Sequence, residues 1–150
     1  MQNFKNPESV LVVIFCQTTN RCLMLQRQDD PYFWQSVTGS MEANELPRET
    51  AIREVFEETG IDIIGQNLEL IDANHAVEFE IFPQFRHRYA PEVKINKEHW
   101  FYLPLIKEIT PILTEHLAYQ WLTIDEATNL TLSPNNSEAI GKIHSLIKSS

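Results

Sequence analysis

Glu54, Glu57 and Glu58 stand at positions i, i+3 and i+4 of one stretch, GSMEANELPRETAIREVFEETGI (residues 39–61), which carries six glutamates and two arginines. On an α-helix these three share a face, and like charges at that spacing cost about 0.2–0.5 kcal/mol per pair. Arg53 can reach Glu57 or Glu49 at i±4, whereas Glu54 and Glu58 have no basic residue four positions away. Two readings account for such a stripe: a solvated acidic face, or a site whose bound cation cancels the repulsion. Mg2+ takes oxygen ligands at about 2.0–2.1 Å and keeps several waters, so a few carboxylates plus phosphate oxygens satisfy it. Such an ion would bring the phosphate oxygens of a substrate onto the carboxylate face.

The residues around the stripe narrow the choice. Gly39 is followed by five residues, Glu45, seven more, and then REVFEETGI. This meets Gly-x5-Glu-x7-Arg-Glu-U-x-Glu-Glu-x-Gly-U at each fixed position, with Val55 and Ile61 as the bulky aliphatic U. The chain thereby resembles the Nudix hydrolases. The resemblance implies an α/β/α sandwich, with a mixed sheet between helices, that hydrolyses a nucleoside diphosphate linked to another group. It implies that Glu54, Glu57 and Glu58 ligate Mg2+, with Mn2+ as the alternative ion. Arg53 would hold Glu45 or Glu57 by an ion pair, Gly39 would permit a tight turn, and the Thr38 carbonyl would lie near metal or substrate. Asn44 stands where many members carry glycine, and asparagine tolerates left-handed backbone, so the loop should survive. Glu57 is one candidate base. Glu115 in LTEHLAYQW is another, in a loop entering a strand, where functional groups are common and where an ordinary loop glutamate would also sit.

Further segments follow in order from residue 4 to residue 122: FKNPESVLVVIF, LMLQRQDDPYFWQSVTGS, VEFEIF, RHRYAP and TEHLAYQWL. They resemble the branch of that family that cleaves a pterin triphosphate, in folate biosynthesis, to the monophosphate and pyrophosphate. This resemblance assigns the metal to Glu54 and Glu58, with Glu115 joining from outside the box. It places Lys5, Arg27, Thr38 and the strand Phe79, Glu80, Ile81 and Phe82 at the substrate. Ser133, within Ser-x-x-Asn-x-x-Ala-Ile, is matched to a substrate contact. A triphosphate needs cationic donors, and Arg27 at a strand end could be one or simply a surface arginine; Lys5 alone reads as a solvated tail residue. The pterin edge presents N–H donors that a carboxylate such as Glu80 could accept, while Phe79, Phe82 or Trp34 could stack on the ring. Phe79 reads equally well as core. His75, His87, His99 and His116 have no metal spacing and are read as structural. The alternatives are a nucleoside triphosphate pyrophosphatase acting on dATP or another (d)NTP, and a sensor that binds without cleaving. A sensor would be expected to lose box carboxylates, and this chain retains them.

The elements that must position these groups follow from pattern. Residues 9–16 and 21–27 read as a hairpin of core strands joined by QTTN. DDPYFW is a loop, and QSVTGS a short strand ending at Gly39. Pro47 suits a first helical turn; Ala51, Ile52, Val55 and Phe56 recur at helical spacing; Gly60 caps the end. Residues 61–73 read as one or two strands, HAVEFEIF as a two-faced strand, and 98–106 as another. HLAYQWLTI leads into a short helix starting near Ile124, since Thr123 and Glu126 have capping-box spacing. The tail reads as one helix on Ala139, Ile140, Ile143 and Ile147. The expectation is a single domain over residues 1–150, of α/β class.

Composition bounds the rest. Of 150 residues 43% are hydrophobic, enough for a core, and no run is long enough for a membrane span. With 12 basic against 21 acidic residues the net charge is −9, which argues against a nucleic-acid groove. An anionic substrate would need a cation as intermediary. The expected partner is a small-molecule triphosphate, with no nucleic acid, membrane or obligate protein partner. The start lacks a secretory pattern, so a cytoplasmic location is expected, with Cys16 and Cys22 as free thiols.

Overall fold

Val10, Val12 and Ile14 point to one side of the first strand and Leu11, Val13 and Phe15 to the other, and all six are buried. A strand buried on both faces needs cover on both, which sets the layering of the molecule. The computed structural model describes residues 4–148, with the side chains of residues 147 and 148 outside that description.

The first strand, β1 (Glu8–Cys16), turns through residues 17–20 into β2 (Arg21–Arg27) as an antiparallel hairpin. Two short strands follow, β3 (Trp34–Gln35) on β2 and β4 (Val37–Ser40) antiparallel to β1. The expected single strand over QSVTGS is thus split at Ser36, whose backbone N–H donates to Asn136 Oδ1 at 2.8 Å. Helix α1 (Pro47–Thr59) comes next, then β5 (Ile71–Glu80), a 3-10 turn (Pro83–Arg88) and β6 (Ile95–Leu105). β6 pairs parallel to β1 and antiparallel to β5. β7 (His116–Thr123) returns to pair antiparallel with β2, and α2 (Ile124–Leu130), α3 (Pro134–Gly141) and α4 (Ile143–Lys148) close the chain. The described strands form one mixed sheet with the path β3-β2-β1-β6-β5, to which β4 and β7 add on β1 and β2.

One face packs Val10, Val12, Ile14, Phe101 and Leu103 against Ala51 and Val55 of α1. The other packs Leu11, Val13, Trp100 and Tyr102 against Ile124, Ala127, Ala139, Ile140 and Ile143 of the terminal helices. The α/β class and the mixed sheet between helices are therefore as expected. Cys16 and Cys22 are buried free thiols.

Two expectations need correction. Residues 61–70 are not strand. Asp62 accepts the Gly65 N–H at 2.9 Å, its carbonyl accepts Gln66 N–H at 2.9 Å, and Asn67 sits at φ 53°, so turn chemistry overrides the Ile-rich composition. The C-terminal helix is two helices that meet at Lys142, whose N–H still bonds Glu138 O. Ala139, Ile140 and Ile143 do face the core; the side chain of Ile147 lies outside the described ones.

Candidate active site

Helix α1 begins where Pro47 needs no hydrogen-bond partner and where Glu49 Oε1 accepts the Leu46 N–H at 2.8 Å. It ends at Gly60, φ 83°, which closes the last turn onto Phe56 O. Between these stops the apolar side seats Ala51 and Val55 in the core, while Glu54, Glu57 and Glu58 line a cleft.

Arg53 organises the stripe. Its guanidinium donates to Glu45 at 2.8 and 2.9 Å, to Glu54 at 2.7 Å, to Glu57 at 3.2 Å and to Ser40 O at 3.1 Å. It therefore serves both partners anticipated for it, and Glu54 besides. Those bonds hold the Glu45 carboxyl down at about 2. Thr50 Oγ1 also donates to Glu45, and Asn44 takes the left-handed conformation, φ 66°, that lets the loop turn.

Glu58 is 2% exposed, and its Oε1 is buried without a hydrogen-bond partner. Burial drives its carboxyl far above the ordinary range, followed by contact with Glu54 and the charges of Glu54 and Glu115. Burial likewise raises Glu54, against the pull of Glu58 contact and Arg53. His116 Nε2 stands 3.6 Å from Glu58 Oε1; burial, then the Arg27 charge, takes its ring down to about 4, so it is neutral at pH 7. Gly39 has no positive φ and makes no tight turn; it lies in β4 opposite Val10. Its role is space, because a Cβ there would collide with the Glu54 side chain. That corrects the reason for the glycine: it leaves room for the Glu54 side chain.

The same cleft is lined by Lys5, Arg27 and Arg88. Arg27 is clamped by both Asp29 oxygens at 2.7 Å and by Gln35 Oε1 at 3.2 Å, and it stacks on Phe85 at 4.0 Å. Arg88 shares Asp29 at 2.6 Å, and its carbonyl accepts the Lys5 N–H at 2.8 Å. Burial, then the charges of Arg88 and Arg27, lowers the Lys5 ammonium from its usual value. Arg27 and Arg88 bond one carboxylate between them, Asp29, and with Lys5 they share a cavity that Glu54, Glu57, Glu58 and Glu115 also line.

The cleft continues into a more enclosed pocket, and Lys5, Arg27, Gln35, Thr38, Gly39 and Arg88 line both. Its wall is aromatic: Phe82 meets Phe33 edge-on at 5.4 Å and Phe79 at 6.5 Å. Its floor is polar, with Ser9, Asn96 and Glu98 from β1 and β6.

The structure brings Glu54, Glu57, Glu58 and Glu115 together around the outer cleft with Lys5, Arg27 and Thr38. Phe79, Ile81, Phe82 and Ser133 line the inner pocket, where Ser133 also caps α3 by accepting Asn136 N–H at 3.2 Å. Glu80 is exposed and lines neither cavity, because alternation along β5 turns it away from Phe79. Trp34 packs against the core instead of the pocket. Sequence reasoning missed Arg88, His116, Asn96 and Glu98. RHRYAP and the His beside Glu115 gave a faint signal for the first two; nothing local marks the last two.

The donor set fits a hard divalent cation. Carboxylate oxygens from two elements meet there, and one of them is buried and unpartnered at the centre. Among the described residues no group of three or more Asp, Glu, His or Cys side chains is arranged to hold a metal ion as it stands.

The NUDIX domain family matches residues 5–142. The chain is 54% identical to the dihydroneopterin triphosphate diphosphatase of Haemophilus influenzae over 142 residues, covering 95% of this chain and 90% of that protein. It is 55% identical to the enzyme of the same name from Escherichia coli over 137 residues, 91% of each. The solved structure of the E. coli dihydroneopterin triphosphate pyrophosphohydrolase superposes with a TM-score of 0.92 at 53% identity, covering 94% of this chain and 97% of that one.

Proposed function

The chain belongs to the NUDIX family, and from that premise we propose that it is a hydrolase converting dihydroneopterin triphosphate and water to dihydroneopterin monophosphate and pyrophosphate. The observation that carries this reading is the joining of two cavities: one lined by Glu54, Glu57, Glu58 and Glu115 together with Lys5, Arg27 and Arg88, the other lined by Phe33, Phe79, Phe82 and Phe85. The names of the relatives, at 54–55% identity over nearly the whole chain, support the pterin substrate.

Enzymes of this family generally work with divalent metals. Here Glu54, Glu57, Glu58 and Glu115 would hold Mg2+, or Mn2+ in its place. The ion would neutralise phosphate oxygens and make a water easier to deprotonate. Arg53 donates to Glu54 and Glu57 and so aims both carboxylates, which makes it a positioning residue. Lys5, Arg27 and Arg88 bind the triphosphate and hold it against the carboxylate face. Glu57 and Glu115 line the cleft and are more exposed than Glu58, so either can accept a proton from the attacking water. Phe79, Ile81 and Phe82 exclude water around the ring, and Ser133 and Thr38 border it. The same reading takes residues 1–150 as one catalytic domain in the cytoplasm, acting on a small molecule and needing no protein partner. Among the described residues no helix is long and apolar enough to cross a membrane.

The test compares turnover of dihydroneopterin triphosphate, dATP and dGTP with Mg2+ present. The reading expects pyrophosphate release and a clear preference for the pterin. A preference for dATP would replace it with a nucleotide pyrophosphatase.

A further inference from the structure

Resting on the triphosphate reading above, we infer that Asp29 is a positioning residue for the substrate: by accepting from Arg27 and Arg88 together it sets the two guanidiniums as one clasp for the phosphate chain. The ligand class is a polyphosphate, free or esterified, whatever ring it carries.

A carboxylate in a cleft that takes a polyanion repels its guest unless it organises the cations around it. Asp29 lines that cleft beside Lys5, Arg27 and Arg88. Its Oδ1 accepts from Arg27 Nε at 2.7 Å, and its Oδ2 accepts from Arg27 Nη2 at 2.7 Å and from Arg88 Nη2 at 2.6 Å. One oxygen thus joins two arginines from distant parts of the chain, the end of β2 and the end of the 3-10 turn. Without a shared anion the two like charges would move apart. Arg27 is steadied on other sides by Gln35 Oε1 at 3.2 Å and by the Phe85 ring at 4.0 Å, and Gln35 in turn donates to Thr38 Oγ1 at 3.0 Å. Arg88 passes the constraint to the N-terminal segment, because its carbonyl accepts the Lys5 N–H at 2.8 Å.

A guanidinium has five N–H donors. Among the described residues Arg27 uses three of them, on Asp29 and Gln35, which leaves two for phosphate oxygens. The Arg27 hydrogen bonds, against burial, hold the Asp29 carboxyl down at about 2, so it stays charged at neutral pH. Stability alone does not account for the cluster. The Arg27, Asp29 and Arg88 side chains are 16, 24 and 34% exposed, and ion pairs this close to water contribute little to folding. Cations already gathered, by contrast, need no ordering when the phosphates arrive.

The experiment measures the Kd of inorganic triphosphate at fixed free Mg2+, and kcat and KM for dihydroneopterin triphosphate, in wild type, Asp29→Asn, Arg88→Ala and the double variant. Asparagine matches aspartate in size but turns an N–H2 toward guanidinium donors. It also takes a negative charge out of the cleft, so charge alone would make the anion bind more tightly. The clasp predicts the opposite sign: Kd and KM rise at least about tenfold, and kcat changes less. In the Arg88→Ala background the same substitution should cost clearly less, since one of the two arginines that Asp29 aligns is gone. Unchanged or tighter triphosphate binding would overturn the assignment. So would a fall in kcat at wild-type KM, the mark of a merely structural residue, or an equal loss with and without Arg88. Each of those results leaves the pterin activity standing. Should wild type bind triphosphate, and Asp29→Asn lose it, with no turnover of the pterin substrate by either, the clasp stands and the proposed activity falls.

Discussion

At the scale of single residues, the site is built from groups that would be disfavoured elsewhere. Glu58 is a buried carboxylate with an orphaned oxygen beside two other carboxylates. Glu58→Gln should lower turnover by orders of magnitude with the fold retained, since one amide replaces one carboxylate of equal size; near-normal kcat with Mg2+ would remove Glu58 from the metal site. Glu115→Gln should reduce kcat far more than it raises KM, because Glu115 stands among the carboxylates and not in the ring pocket. Glu98 leaves a mark on stability instead. Burial raises its carboxyl from 4.5 to about 7, against the Trp100 hydrogen bond, in a pocket shared with Lys5, Arg27, Arg88 and Tyr89. Its folded pKa lies above the unfolded one, so the native form is favoured at low pH. Its contribution to stability is lost as pH rises from about 4.5 to about 7, by an amount on the order of 3 kcal/mol. Denaturant titrations at pH 8 should therefore find Glu98→Gln more stable than wild type, with the difference closing toward pH 4.

At the scale of elements, the catalytic face depends on how closely α1 lies on β4. Gly39 is the contact: the Glu54 side chain occupies the space a Cβ would need. Gly39→Ala should displace Glu54, cut kcat at least about tenfold and lower stability by about 1–3 kcal/mol; wild-type kcat in that variant would show that Glu54 has room to spare. α1 was legible in the sequence because its signals are local: Pro47, the 3.6-residue apolar repeat, Gly60 and the carboxylate spacing all lie within 23 residues. The Thr123–Glu126 capping box is equally local and forms as its spacing implies, each side chain bonding the other's N–H at 3.0 and 3.1 Å. The pocket floor was not legible. Asn96 and Glu98 meet Ser9 only because β6 pairs parallel to β1, with Ser9 opposite Glu98, across almost ninety residues of chain. In sequence they look like the polar half of any alternating strand. Residues 61–70 failed differently, since Ile61, Ile63 and Leu70 are buried as a strand's would be, yet they are held by turns.

At the scale of the whole molecule, two tasks meet at the end of the sheet where β1 begins and β2 finishes. α1 on one face brings carboxylates, while the segments around Lys5, Arg27 and Arg88 bring cations, and the aromatic pocket continues on the side of the terminal helices. A chain of net charge −9 can then take a polyanion, provided a divalent ion stands between the two charge sets. The most direct test follows pyrophosphate release from dihydroneopterin triphosphate as Mg2+ is titrated into metal-stripped enzyme. The account predicts no turnover with excess chelator and a saturable rise as Mg2+ is restored. Undiminished turnover in chelator would contradict it.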